Sequence, residues 1–194
     1  MKIKSARFIL SAAKMSDCPE DQIPEIAFCG RSNVGKSTLI NALTNHRKLA
    51  KISKTPGKTR LINFFLINDV FRFIDLPGFG YAKVPQSVKA SWRKLVEDYL
   101  ANRKNLKAVV VLVDSRRGLL EEETQLMEYC LYYNIPIELT FTKIDKLKSN
   151  ENRQLKINCA ESFKGSETHC SFVSALKNVG LQELRLRLDK QIRS

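Results

Sequence analysis

From about residue 26 onward, short apolar runs alternate with longer segments whose apolar side chains recur every three or four positions. The runs at 26–29, 62–67, 71–75, 108–113, 137–141 and 170–173 have the length and composition of strands. The segments 36–45, 87–101, 121–133, 150–163 and 180–192 carry the helical period. Val109-Val110-Val111-Leu112-Val113 is nearly all β-branched, as suits a strand buried on both faces. Only Asn68-Asp69-Val70 separates the runs 62–67 and 71–75, so these two strands must pair antiparallel. The remaining strands are separated by helices, which favours parallel neighbours and right-handed crossovers. The pattern therefore predicts an α/β fold, a doubly wound, mostly parallel six-stranded sheet with one antiparallel edge strand. It assigns no element to residues 1–22, which read as an N-terminal extension of a single domain spanning 1–194. Residues 46–60 and 76–86, rich in Gly, Pro, Lys and Thr, are the longest loops.

Composition agrees with this picture and charge extends it. With 194 residues, 43% hydrophobic and 27% charged, the chain is globular and large enough for a sizeable core. No stretch approaches ~18 consecutive apolar residues, which argues against a transmembrane helix. The segment Met1–Arg7 lacks the apolar core of a secretory signal, Met1-Lys2 excludes N-myristoylation, and Gln191–Ser194 forms no prenylation box. The expected location is the cytoplasm, off the membrane. Five cysteines (Cys18, Cys29, Cys130, Cys159, Cys170) show no Cys-x-x-Cys pair and no zinc spacing, which suits a reducing compartment. The formal charge of +13 exceeds what a small anionic ligand needs, and it points to an acidic macromolecule such as RNA. Arg47, Lys48, Lys51, Lys54, Lys58 and Arg60 cluster without an acidic neighbour between 46 and 60. Lys83, Lys89, Arg93, Lys94, Arg103, Lys104 and Lys107 add a second basic stretch.

The candidate chemistry lies just after the strands, where open α/β sheets bind ligands. Gly30-Arg31-Ser32-Asn33-Val34-Gly35-Lys36-Ser37 fits the phosphate-binding loop G-x-x-x-x-G-K-[ST], between a strand and the helix that Thr38 continues. Its backbone N–H groups would cradle phosphates, Lys36 would reach the β- and γ-phosphates, and the Ser37 hydroxyl would ligate Mg²⁺. Asp75-Leu76-Pro77-Gly78 ends another strand. A carboxylate there can hold a Mg²⁺-bound water, while the glycine N–H faces the γ-phosphate. In Thr142-Lys143-Ile144-Asp145, the Asp145 carboxylate can accept from both N1–H and the exocyclic amine of guanine. Adenine lacks that donor pair, so the site would prefer GTP over ATP. The Lys143 stem would lie along the purine. Val173 ends the last strand and Ser174-Ala175-Leu176 follows it, resembling a short guanine loop in which the Ala175 N–H would donate to guanine O6. In Thr55-Pro56-Gly57-Lys58-Thr59 two threonines could reach the γ-phosphate through Mg²⁺. Thr59 is the better placed, because Pro56 restricts Thr55.

These residues place the chain among P-loop NTPases with a Ras-like G domain, and they resemble the EngB (YihA/YsxC) family of bacterial GTPases. The resemblance rests on the strings at 30–37, 55–59 and 142–145, and most specifically on Asp75-Leu76-Pro77-Gly78-Phe79-Gly80-Tyr81-Ala82. It spans about residues 5–190, with Phe79 standing where the family usually has Tyr. The resemblance implies a monomeric switch in assembly of the large (50S) ribosomal subunit, in contact with ribosomal RNA and needed for growth and division. Ras-like GTPases orient the attacking water with a glutamine after Asp-x-x-Gly, and Phe79 cannot do so. Slow intrinsic hydrolysis, assisted by a partner or cation, is therefore expected. Asn33 is a candidate K⁺ ligand, as in related GTPases. A small-molecule or nucleoside kinase is the alternative reading of the same phosphate loop. A trafficking GTPase is a further rival, and the positive charge counts against it.

Overall fold

The computed structural model describes residues 2–46, 48–50, 61–78, 86–166 and 168–193; the side chains of residues 86–89, 91 and 92 lie outside that description. The expectations for Thr55, Gly57, Lys58, Thr59 and Phe79 fall outside the described residues. Among the described residues seven strands form one sheet: β1 (Ala6–Ala12), β2 (Glu25–Gly30), β3 (Ile62–Ile67), β4 (Phe71–Asp75), β5 (Leu106–Asp114), β6 (Ile137–Thr142) and β7 (His169–Phe172). Their spatial order is β1-β3-β4-β2-β5-β6-β7. Among the described residues four α-helices lie between them, α1 (Lys36–Thr44), α2 (Gln86–Asn102), α3 (Glu121–Tyr132) and α4 (Ser149–Ser162), and α5 (Leu181–Arg193) follows β7. The pairs β4–β2, β2–β5, β5–β6 and β6–β7 are parallel, while β3 runs antiparallel to β4.

The mixed α/β class and the antiparallel edge stand as the pattern predicts, and the strand count changes from six to seven. Residues 6–12 add a second antiparallel ladder outside β3, so β1 and not β3 is the outermost strand. The pattern is silent there because the β1–β3 register shifts between Phe8 and Leu10. Such a bulge moves successive side chains off the two-residue alternation, and Phe8 ends half exposed while Ala12 is buried. The turn Asn68-Asp69 has left-handed backbone at both positions, φ 50° and 58°, which matches the twist of a tight hairpin. Its Asn68 side chain accepts from the Lys4 and Ser5 amides at 2.7 and 3.1 Å and so anchors the start of β1.

Two apolar layers sandwich the sheet. Leu39, Leu43, Leu181, Leu184 and Leu188 of α1 and α5 pack on Ile26, Phe28, Val110 and Leu112. On the other face Tyr99, Met127, Cys130 and Cys159 of α2, α3 and α4 pack on Val109, Val111 and Val113. Alternate residues of β5 thus serve opposite layers, which explains its unbroken apolar run. The connection after β2 goes to one face and that after β5 to the other, so a crevice opens at their carboxyl ends. At the opposite end of the sheet the fully buried Glu25 accepts from Arg103 Nε and Nη2 at 2.7 and 2.6 Å, and from the Tyr99 hydroxyl at 2.7 Å. Arg72 completes that cluster from β4, pairing with Glu25 at 3.3 Å and with Asp21. Desolvating Glu25 costs several kcal/mol, and this many charge-assisted partners are what offset it.

Candidate functional site

The phosphate loop grows out of the end of β2 because two glycines allow it. A Cβ on Gly30 would stand 2.9 Å from the Leu112 carbonyl oxygen, so β2 and β5 approach too closely there for any side chain. Gly35, at φ 109°, is the left-handed residue that turns the chain into α1. The amides of the first turn of α1 lack intrahelical acceptors and face the crevice end, an arrangement suited to phosphate oxygens. Arg31 is held at 3.3 Å by Glu122 in the first turn of α3. The Lys36 ammonium pairs with Oδ1 of the buried Asp75. Asp75 Oδ2 receives a long bond, 3.5 Å, from Asn63 Nδ2, and Asn63 Oδ1 accepts from the Ser11 hydroxyl at 2.6 Å. A Cβ on Gly78 would lie 3.2 Å from the Gly30 carbonyl oxygen and 3.3 Å from Ser32 Oγ. The segment Asp75-Leu76-Pro77-Gly78 therefore lies directly against the phosphate loop.

The segment 142–145 is bonded to that same loop. The Thr142 hydroxyl donates to the Val34 carbonyl at 2.7 Å. Many GTPases carry Asn at this position, and here a threonine makes a link to the phosphate loop. Lys143 has left-handed backbone, φ 58°, which costs about 1–2 kcal/mol for a residue with a Cβ. Its Nζ donates to the Asn33 carbonyl at 2.6 Å and to Asp114 Oδ2 at 2.8 Å. Two charge-assisted bonds of about 1.5–3 kcal/mol each outweigh that strain. Asp145 Oδ1 accepts from the Ser174 hydroxyl at 2.6 Å, which orients the carboxylate. Ser174 sits in a tight loop closed by reciprocal backbone bonds with Val179, 3.0 and 3.1 Å. Gly180, at φ 72°, permits that loop: a Cβ there would collide with the Phe172 carbonyl at 2.1 Å. Val173 is buried and its carbonyl accepts from the Ile144 amide at 3.3 Å, while Ala175 is half-buried beside it.

Four segments named from sequence thus meet at one end of the sheet: 30–37, 75–78, 142–145 and 173–175. Asp114, Arg116 and Asn63 were not among the candidates. Asp114 closes β5 as Asp75 closes β4, and a carboxylate ending a buried strand at the ligand end of the sheet was the available signal. Arg116 clamps it with Nε and Nη2 at 2.8 and 2.6 Å. Burial pushes the Asp114 carboxyl up, but the bonds from Arg116 and Lys143 outweigh it and hold the group well below the usual carboxylate range. Among the described residues no group of three His, Cys, Asp or Glu side chains could cage a metal ion. The donor set, the Ser37 hydroxyl in the first turn of α1 and the Asp75 carboxylate that Lys36 holds, suits an ion that takes much of its coordination from phosphate oxygens and water, as Mg²⁺ does.

A seven-stranded α/β sheet with a phosphate loop bonded to a guanine-type Thr-Lys-x-Asp segment defines a P-loop GTPase. The family model described as "50S ribosome-binding GTPase" matches residues 25–143. The "Probable GTP-binding protein EngB" of Clostridium perfringens is 49% identical over 185 residues, covering 95% of this chain and 94% of that protein. Its namesake in Syntrophotalea carbinolica is 49% identical over 189 residues, covering 97% and 91%. A solved structure of a probable GTP-binding protein EngB superposes with a TM-score of 0.71 at 28% identity, over 87% of this chain and 98% of that one. Aquifex aeolicus Era, at 24% identity and a TM-score of 0.70 over 88% of this chain and 57% of that one, shares the fold. The chain belongs to the EngB family of GTP-binding proteins: it binds guanine nucleotide and carries a GTPase domain. The kinase alternative is not favoured by these findings.

Proposed function

We propose that this single-domain protein is a GTP-driven switch acting in the cytoplasm on assembly of the large ribosomal subunit, and through it on growth and division. The observation that carries the reading is the bonding of 142–145 onto the phosphate loop, beside Asp75, in a chain of charge +13. The family description names a 50S ribosome-binding GTPase, and the positive charge suits ribosomal RNA. In this reading Lys36 exchanges Asp75 for the β- and γ-phosphates, and the loop amides hold their oxygens. Asp145, oriented by Ser174, accepts from guanine, and Ala175 N–H donates to O6. Ser37 and Thr59 would hold Mg²⁺, which would supply neutralisation of the charge that develops on the phosphates. With Phe79 after Gly78 no side chain there orients water, so hydrolysis is slow alone and is raised by a partner or by K⁺ near Asn33. Loops 46–60 and 76–86 respond to the γ-phosphate.

Sedimentation with ribosomal subunits under GTP, GDP and no nucleotide, at two salt concentrations, tests this. Co-sedimentation with the large subunit that depends on nucleotide and weakens in salt is the expected outcome. Equal binding with GDP and with a non-hydrolysable GTP analogue would sink the switch.

A further inference from the structure

Asp114 stands directly beside Thr142 in the parallel ladder of β5 and β6, at the last paired position of both strands. Its two oxygens are fully engaged. Oδ1 accepts from Arg116 Nε at 2.8 Å, and Oδ2 accepts from Arg116 Nη2 at 2.6 Å and from Lys143 Nζ at 2.8 Å. Lys143 reaches that oxygen by crossing the phosphate loop: a Cβ on Gly35 would touch Lys143 Cε at 3.8 Å, and Nζ also bonds the Asn33 carbonyl. A free lysine has four rotatable bonds and gains little from lying on any one surface. Here it has two anchors, the Asn33 carbonyl of the loop itself and the Asp114 carboxylate at the end of β5, and Asp114 is the charged one. The Asp114 side chain is only 10% exposed, and the Arg116 fork fixes its plane.

We propose that Asp114 is a positioning residue for guanine nucleotides, holding the Lys143 side chain extended across the phosphate loop so that its stem forms one wall for the purine. The inference rests on the guanine reading of 142–145. Asp114 touches no nucleotide in this arrangement; it acts through Lys143. Its effect is therefore common to all purines that lie on that stem, whereas Asp145 and the Ala175 amide read the guanine edge.

The test is stopped-flow release of a fluorescent GDP from the full chain, for wild type, Asp114→Asn, Lys143→Met and the double variant, with thermal unfolding run in parallel. Asp114→Asn is expected to speed release about tenfold, the equivalent of one charge-assisted hydrogen bond. The double variant releases no faster than Lys143→Met alone, and Asp114→Glu restores most of the loss. Affinities for GTP and ITP fall by the same factor. Arg116→Ala, at a half-exposed side chain, gives a smaller acceleration that also vanishes in the Lys143→Met background, and it serves if Asp114→Asn does not fold. Unchanged release in Asp114→Asn, or effects of Asp114→Asn and Lys143→Met that multiply, would overturn the assignment. A wild-type protein without preference for GTP over ATP would instead overturn the guanine reading itself.

Discussion

Asp145 shows how a single side chain can be read from sequence while its support cannot. The string Thr142-Lys143-Ile144-Asp145 announces a guanine-edge acceptor, yet nothing in it names Ser174 as the donor that aims the carboxylate at 2.6 Å. Asp145→Ala is expected to abolish the preference for GTP over ATP in a competition assay. Ser174→Ala should weaken GTP by about 1 kcal/mol while keeping the preference, since it removes one hydrogen bond to a group that still faces the base. Glu138 is a second residue whose behaviour follows from its setting. Burial in β6 pushes its carboxyl from the ordinary 4.5 up to about 7, although the Ser171 bond and the field of Arg187 act the other way. The folded chain then keeps a proton that the unfolded chain releases between those values. The contribution of this group to stability is full below that window and is lost as pH rises through it. Glu138→Gln, which still accepts from Ser171, should raise the urea midpoint at pH 8 and leave it nearly unchanged at pH 4.

Among elements, the strands and helices from residue 25 onward were legible because each buries one face or both, and burial writes a period into the sequence. The core strands Val109–Val113 and Ile137–Phe141 could hardly be read otherwise. β1 was not legible, because a bulge between Phe8 and Leu10 breaks its alternation and because, among the described residues, no strand pairs with its outer edge. Asp114 escaped for a related reason: the apolar pattern of β5 stops at Val113, and one further acidic residue looks like the start of a turn. A chain lacking residues 1–12 should expose the edge of β3, unfold at lower urea, and self-associate in sedimentation velocity, since an uncovered strand edge is a pairing template. Such a chain would also lose Ser11, whose hydroxyl holds the amide of Asn63 toward Asp75.

At the scale of the molecule, charge and site belong to opposite levels of legibility. The value of +13 is plain in the composition, but where it acts is not, because a basic surface is compatible with many polyanions. The slope of log binding constant against log salt for the large ribosomal subunit counts the phosphates neutralised. Reversing the charge of Lys104 and Lys107 together should lower that slope if this stretch meets RNA, with GTP affinity unchanged. At the site end, by contrast, the segments 30–37, 75–78, 142–145 and 173–175 that meet there were each named from sequence, since phosphate and guanine recognition each impose a spacing that chance seldom supplies; Gly57, Lys58 and Thr59 lie outside the described residues.

The bonds from Thr142 and Lys143 to the carbonyls of Val34 and Asn33 have a further consequence. They tie the part that would grip the base to the part that would grip the phosphates, so the gap between the two is set by the protein and does not adjust to the ligand. The pocket then behaves as a ruler. Guanosine and triphosphate offered as separate fragments would each find only half a grip, and a nucleotide with a lengthened ribose linkage would have to forfeit one end to satisfy the other.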